Sequence, residues 1–308
     1  MRTSIQVAVL TLCCSALSCS ADAQELQPAD TVYDAAIARP AFARDRGPTV
    51  AIDEAHANFH TSTGRYRPFA ELLRNDGFRV RANRAPFSDS GLAGVQVLVV
   101  ANALGQYRVG QPAVPAFEVA EEDALVAWVR RGGRLLLIAD HEPMGTAAKR
   151  LSARFGVDMS TGRTTDDPHS DWTSGSSTWL VFQRDTGAKI GEHPVTAGRD
   201  SSERIRRVVT FTGQSLSVPS GAVALLQLAA RAEDVIDGRS MPAAGRAQAL
   251  AMRFGEGRVV VFGEAGLFTA QVASAPGRPS RRFGFTWPGS DDRQLALNTV
   301  RWLAGAIP

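Results

Sequence analysis

Cysteine is almost missing from this 308-residue chain, and its three copies stand close together at positions 13, 14 and 19. If the first 23 residues are removed on export, as argued below, no thiol remains. Disulfide staples and cysteine nucleophiles are then both excluded, and the fold must rest on its apolar core. Lysine is nearly as scarce, since Lys149 and Lys189 are the two lysines among 34 basic residues. This arginine bias, with a formal charge of only +3, reads as a compositional habit and not as a footprint for a polyanion, so no nucleic-acid partner is expected. Long apolar runs are absent after residue 23, where a membrane span would need roughly 20 such residues. No Gly-x-Ser-x-Gly elbow occurs, which removes the usual serine nucleophile of α/β hydrolases. No Gly-x-Gly-x-x-Gly and no Walker A sequence occurs either, so a nucleotide cofactor has no support.

The first 23 residues have the order of a secretory signal. Arg2 gives a positive start, Ile5–Leu17 an apolar run, and Ala21-Asp22-Ala23 the small residues of a cleavage site. A periplasmic or secreted location is therefore expected. Leu17-Ser18-Cys19 resembles a lipobox with its aliphatic residue one place too close, so lipid anchoring at Cys19 is the minority alternative. Residues 24–47 carry prolines and no clear period, and read as an N-terminal arm.

From residue 48 the pattern alternates between two periods. Thr49–Asp53, Phe78–Arg84, Val95–Asn102 and Arg134–Asp140 are short apolar or alternating runs. Arg65–Asp76, Glu118–Arg131 and Met144–Phe155 have helical spacing, the first closed by Gly77 and the second by Gly132-Gly133. Such alternation with short connections predicts a mostly parallel sheet covered by helices on both sides. Thr161–Ser177 is polar and reads as a loop over the sheet edge. Val208–Thr212 reads as a strand. Ala249–Phe254 and Arg258–Gly263 flank Gly255-Glu256-Gly257 as a hairpin. Val272–Asp291 reads as a long loop, and Asp292–Ala304 as a closing helix capped by Asp291 or Asp292. The expected class is an α/β, flavodoxin-like three-layer sandwich with an added β-hairpin and a C-terminal helix.

In open parallel sheets ligands bind at the carboxyl ends of the strands. The first strand runs into Asp53, Glu54, His56, Asn58 and His60, the third ends at Asn102, the fourth at Asp140-His141, and a late strand at Glu264. All five histidines (56, 60, 141, 169 and 193) fall in loops or just past strand ends. These positions set the expected site. Asp140, His141 and Glu264 would be catalytic, Asp53, Glu54, Asn58 and Asn102 would bind ligand, and His56, His60 and His141 would hold a metal. Each has a plainer alternative: Asp53 capping or bonding loop amides, His56 and His60 satisfied by neighbours, His169 in a solvated loop. The basic aromatic stretch Arg278–Trp287 could be a lid, a docking segment or an ordinary loop.

The stretch Arg130–His141, a helix end, Gly-Gly, an apolar strand and Asp-His, resembles a segment of the glutamine-amidotransferase-like superfamily, including its trehalose-utilisation-type members. His193-Pro194-Val195-Thr196-Ala197-Gly198 resembles a motif of those groups, and Gly257–Thr269 and Asn298–Leu303 are similar to their late strand and final helix. The resemblance spans about residues 47–305. It implies a single sandwich domain over residues 48–308 with a pocket around Asp140 and His141. It does not carry glutaminase chemistry, because the nucleophilic cysteine of true amidotransferases has no counterpart here.

Two functional classes follow. One is a metal-dependent hydrolase acting on a small or carbohydrate-like substrate, with Zn²⁺, Mn²⁺ or Fe²⁺ held by imidazoles and carboxylates. The other is a non-catalytic ligand-binding or scaffold module of the cell envelope, with the 278–287 loop as a contact surface for a protein partner.

Overall fold

The apolar runs of the first half become the strands of one sheet. In the computed structural model, which describes residues 27–274 and 279–308, the first seven elements are β1 (Thr49–Asp53), α1 (Arg67–Asn75), β2 (Arg79–Asn83), β3 (Val97–Ala101), α2 (Val119–Arg130), β4 (Arg134–Ile138) and α3 (Met144–Ala153). The second half is richer in short strands: β5 (Arg163–Thr165), β6 (Val181–Gln183), β7 (Lys189–Ile190), α4 (Pro194–Ala197), β8 (Arg207–Val209), β9 (Val223–Gln227), β10 (Glu233–Ile236) and β11 (Arg239–Pro242). The chain closes with β12 (Ala247–Phe254), β13 (Gly257–Phe262), β14 (Ala270–Ala273), β15 (Arg281–Gly284) and α5 (Asp292–Ala304). The signal sequence, Cys19 and Arg278 lie outside the described residues.

Ten strands form the central sheet in the order β2-β1-β3-β4-β13-β12-β9-β7-β6-β8. The half from β2 to β13 is parallel, and the β12–β13 hairpin turns the remainder mostly antiparallel. Successive strand residues face opposite sides. Val50, Ile52, Val97, Val99, Leu136, Ile138, Val260 and Phe262 pack on the α1 and α5 side. Ala51, Leu98, Val100, Leu135, Leu137, Val259 and Val261 pack with residues of α2 and α3 on the other. Burial on both faces is why these strands are apolar without alternation. The architecture is the expected three-layer α/β sandwich.

Three local expectations are corrected. The 161–177 stretch contains β5, which joins β10 and β11 in a three-stranded sheet. The 272–291 stretch contains β15, paired with β14. Asp291 and Asp292 do not cap α5 with their side chains. Instead Asp291 Oδ2 accepts from the Arg206 and Arg207 amides, and Asp292 Oδ1 from the Val209 amide, tying the helix start to β8. Among the described residues no helix is long and apolar enough to cross a membrane.

Candidate functional site

The parallel half of the sheet brings the ends of β1, β3, β4 and β13 to one edge, and the residues just past them meet there. Asn102, immediately after β3, adopts φ 47°, a left-handed conformation that asparagine tolerates better than most residues. Its side chain clasps the residue after β4. Asn102 Oδ1 accepts from the Asp140 amide at 2.9 Å, and Nδ2 donates to Asp140 Oδ2 at 2.7 Å. The second hydrogen of Nδ2 points to His60 Nδ1 at 3.2 Å. That bond makes Nδ1 the acceptor, so His60 is neutral with its proton on Nε2. Burial, helped by the Arg65 charge, pushes His60 down to about 3 and keeps it neutral.

The other oxygen of Asp140 accepts from the Ala265 amide at 2.7 Å. The next two amides, of Gly266 and Leu267, donate to the two oxygens of Glu264 at 2.5 and 2.9 Å. Consecutive backbone N–H groups thus hold two neighbouring carboxyls. Burial raises Asp140 to about 6, against the lowering effect of Asn102 and Ala265. Burial and the Asp140 charge raise Glu264 well above the usual carboxylate range. Asp140 is thereby the group of the pair that titrates near neutrality, while Glu264, only 2% exposed, is pushed toward its protonated form. Under the site, Gln214 Nε2 donates to the Ala139 and Asp140 carbonyls, and its Oε1 accepts from the Thr161 amide. Gly145 permits this approach, since a Cβ there would stand 2.7 Å from Gln214 Nε2.

Asp140 and His141 form part of the lining of a cavity of about 720 Å³. Its wall includes Trp179, Phe211 and Phe283, which pack edge-on or tilted with centroids 4.8 to 6.2 Å apart. Asp171 fixes this wall: its Oδ2 accepts from Trp287 Nε1 and Arg207 Nη2, both at 2.9 Å, and its amide donates to the Trp179 carbonyl. His141 Nδ1 donates to the Glu142 carbonyl at 2.7 Å, which leaves Nε2 as the acceptor. Burial and the Arg163 charge lower its pKa, so the ring is neutral.

The remaining first-strand residues gather elsewhere. His56 bridges two carboxylates, Nδ1 to Asp53 Oδ2 at 2.8 Å and Nε2 to Glu121 Oε1 at 2.9 Å, with its ring between Phe87 and Phe117. Burial opposes its protonation, but the bonds and charges of Asp53 and Glu121 outweigh burial and raise the pKa. Asn58 holds the His56 amide and the Ala101 carbonyl. Glu54 accepts from Ser62 and Arg84. Asp53, Glu54, His56 and Asn58 thus knit the loop after β1 and do not line the cavity over Asp140.

His56, His60 and His141, read from the sequence as metal ligands, are therefore not assembled as a set, because each is engaged by its own neighbours. Among the described residues no group of three or more His, Cys, Asp or Glu side chains is placed to hold a metal ion. His193 is a helix cap: its Nδ1 accepts from the Val195 amide, Thr196 Oγ1 donates to the Gly191 and His193 carbonyls, and Gly198 has φ 70°. The His-Pro-Val-Thr-Ala-Gly motif thus has a structural explanation. His169 pairs with Asp166 at 3.0 Å in the 161–177 stretch. Sequence reasoning missed Gln214, Trp179, Phe211 and the clamp Asp171. Each stands alone in its segment, and only the fold brings them to the Asp140 edge.

No curated protein matches the chain. Among solved structures, the mmIFT52 N-terminal domain superposes with a TM-score of 0.59 at 13% identity, over 83% of this chain and 97% of that one. That likeness is one of fold. A ThuA-like protein from Bacteroides uniformis aligns with a TM-score of 0.43 at 13% identity, over 87% of this chain and 93% of its own. The family described as a domain of unknown function (DUF4350) matches residues 58–273, and the chain belongs to that family.

Proposed function

We propose that this is an exported binding protein that takes a small carbohydrate-like ligand in the cavity over Asp140. The observation that carries the reading is the juxtaposition of an aromatic wall, Trp179, Phe211 and Phe283, with the polar pair Asp140 and His141 in one cavity of about 720 Å³. A volume of that order suits a small ligand, and polar groups beside an aromatic wall are what orient one. Sugar rings offer C–H faces for aromatic stacking and hydroxyl edges for a carboxylate and an imidazole. The signal-like pattern of residues 1–23 supports an encounter outside the cytoplasm. Among the described residues no donor set for a metal ion is assembled, and the binding reading needs none.

A catalytic reading has one specific support. Asp140, with a pKa of about 6, and neutral His141 are adjacent acceptors on the cavity, which suits proton transfer near pH 7. A two-carboxylate glycosidase arrangement is not favoured, because Glu264 is buried and, unlike Asp140, does not line the cavity.

Calorimetric titration of the purified protein with a panel of neutral and acidic mono- and oligosaccharides tests the proposal. At least one should bind, and Trp179→Ala should weaken it about tenfold, the equivalent of ~1.4 kcal/mol. If no sugar binds, or if the truncation changes nothing, the reading is wrong. Release of product from the bound sugar, lost in Asp140→Asn, would separate turnover from binding.

A further inference from the structure

The cavity over Asp140 has a neighbour. Phe59 and Gln27 line both it and a second cavity of about 530 Å³ that also includes Thr63, Gly64, Arg65 and Arg67. Each cavity has a guanidinium laid on an aromatic ring. In the first, Arg281 lies over Trp179, 5.4 Å from the ring centroid, with Nη1 on the Ser174 carbonyl. In the second, Arg65 lies over Phe59 at 3.9 Å, with Nε on the Gln27 carbonyl. Adjacent arginines are neutralised, Arg67 by Glu71 and Arg282 by Asp30. Among the described residues, no ion pair with a carboxylate is formed by Arg65 or Arg281.

A guanidinium stacked on a ring is held in place while its outer N–H groups stay available, and that fork matches a carboxylate in two parallel bonds. Arg65 is half-buried, and burial lowers its pKa, as expected of a cation that lacks a counter-charge. A neutral ligand would leave both positive charges unanswered.

We propose that the two cavities form one groove for an acidic oligosaccharide, its carboxylates taken by Arg281 and Arg65 and its rings resting on Trp179 and Phe59. This inference rests on the carbohydrate reading of the cavity and adds the charge and length of the ligand. Binding of trigalacturonate and of its fully methyl-esterified form, measured by calorimetry on the purified protein, tests it. The two differ in charge and little in size. The acid should bind about tenfold more tightly at low ionic strength, with the gap closing as salt is raised. In Arg65→Gln and in Arg281→Gln the affinity for the acid should fall toward that for the ester. Equal binding of acid and ester would overturn the acidic groove and leave the carbohydrate cavity standing. An acid preference untouched by both substitutions would place the anion elsewhere and overturn it too. Binding of neither compound, nor of any neutral sugar, would overturn both readings.

Discussion

Replacing Asp140 by asparagine separates the shape of the cavity floor from its charge. The native carboxyl is raised to about 6, about two units above an ordinary aspartate. A carboxyl with a raised native pKa binds its proton more tightly in the folded chain. Its contribution to stability is complete below about pH 4 and is lost as pH rises through about 6. Two units at ~1.4 kcal/mol each make ionised Asp140 cost about 3 kcal/mol at pH 7. Asparagine cannot ionise, but its amide nitrogen must face one of two fixed donors, Asn102 Nδ2 or the Ala265 amide. Asp140→Asn should therefore be less stable than the wild type at pH 4 and gain about 2–3 kcal/mol on it by pH 7. Urea unfolding between pH 4 and 8 reads this directly, as a midpoint shift at constant slope. A difference between variant and wild type that does not move in the variant's favour between pH 4 and pH 8 would refute the claim that Asp140 is held ionised at a cost.

Two further substitutions probe charges that serve the fold. His56→Gln removes the cation between Asp53 and Glu121 and should cost about 3–5 kcal/mol, as for one partner of a buried ion pair. Because the His56 pKa is raised, its contribution is full below about 6.5 and is lost as pH climbs through the native value. Wild-type thermal stability should therefore fall above that pH, and the fall should be missing in the variant. Arg301, 1% exposed, joins both oxygens of Asp76 at 2.6 and 2.7 Å and Glu203 at 3.0 Å. Arg301→Met should cost about 3–5 kcal/mol in chemical unfolding, and a smaller loss would mean that water replaces the guanidinium.

The parallel half of the sheet was legible because each of its apolar strands reports burial on both faces, and Val97–Ala101 and Arg134–Ile138 fall inside the runs read from the sequence. The start of α5 was read from its polar lead-in, but the roles of Asp291 and Asp292 depend on β8, about eighty residues away in sequence. β5, β10 and β11 left little trace, since short, partly exposed strands such as Arg239–Pro242 carry no apolar period. At the site, strand-end reasoning picked out Asn102, Asp140 and Glu264, which the fold does bring together. The resemblance through Arg130–His141 pointed to the same edge. What sequence could not supply was partnership. His56 is claimed by Glu121 on α2, and His60 by Asn102 and Tyr66, so residues four apart at one strand end serve different networks. The aromatic wall was equally hidden, because Trp179, Phe211 and Phe283 come from three separated segments.

The place of β13 has a consequence for how the molecule is made. This strand, residues 257–262, lies between β4, residues 134–138, and β12, so the middle of the sheet is closed by a late part of the chain. Pairing across more than a hundred residues slows folding, because the intervening loop must be ordered before the contact rewards it. Until residue 262 is available, β4 presents an open parallel edge, and α5 has yet to cover the face beside α1. A protease or chaperone that meets the chain before its last fifty residues have arrived therefore meets a half-sheet with an adhesive rim.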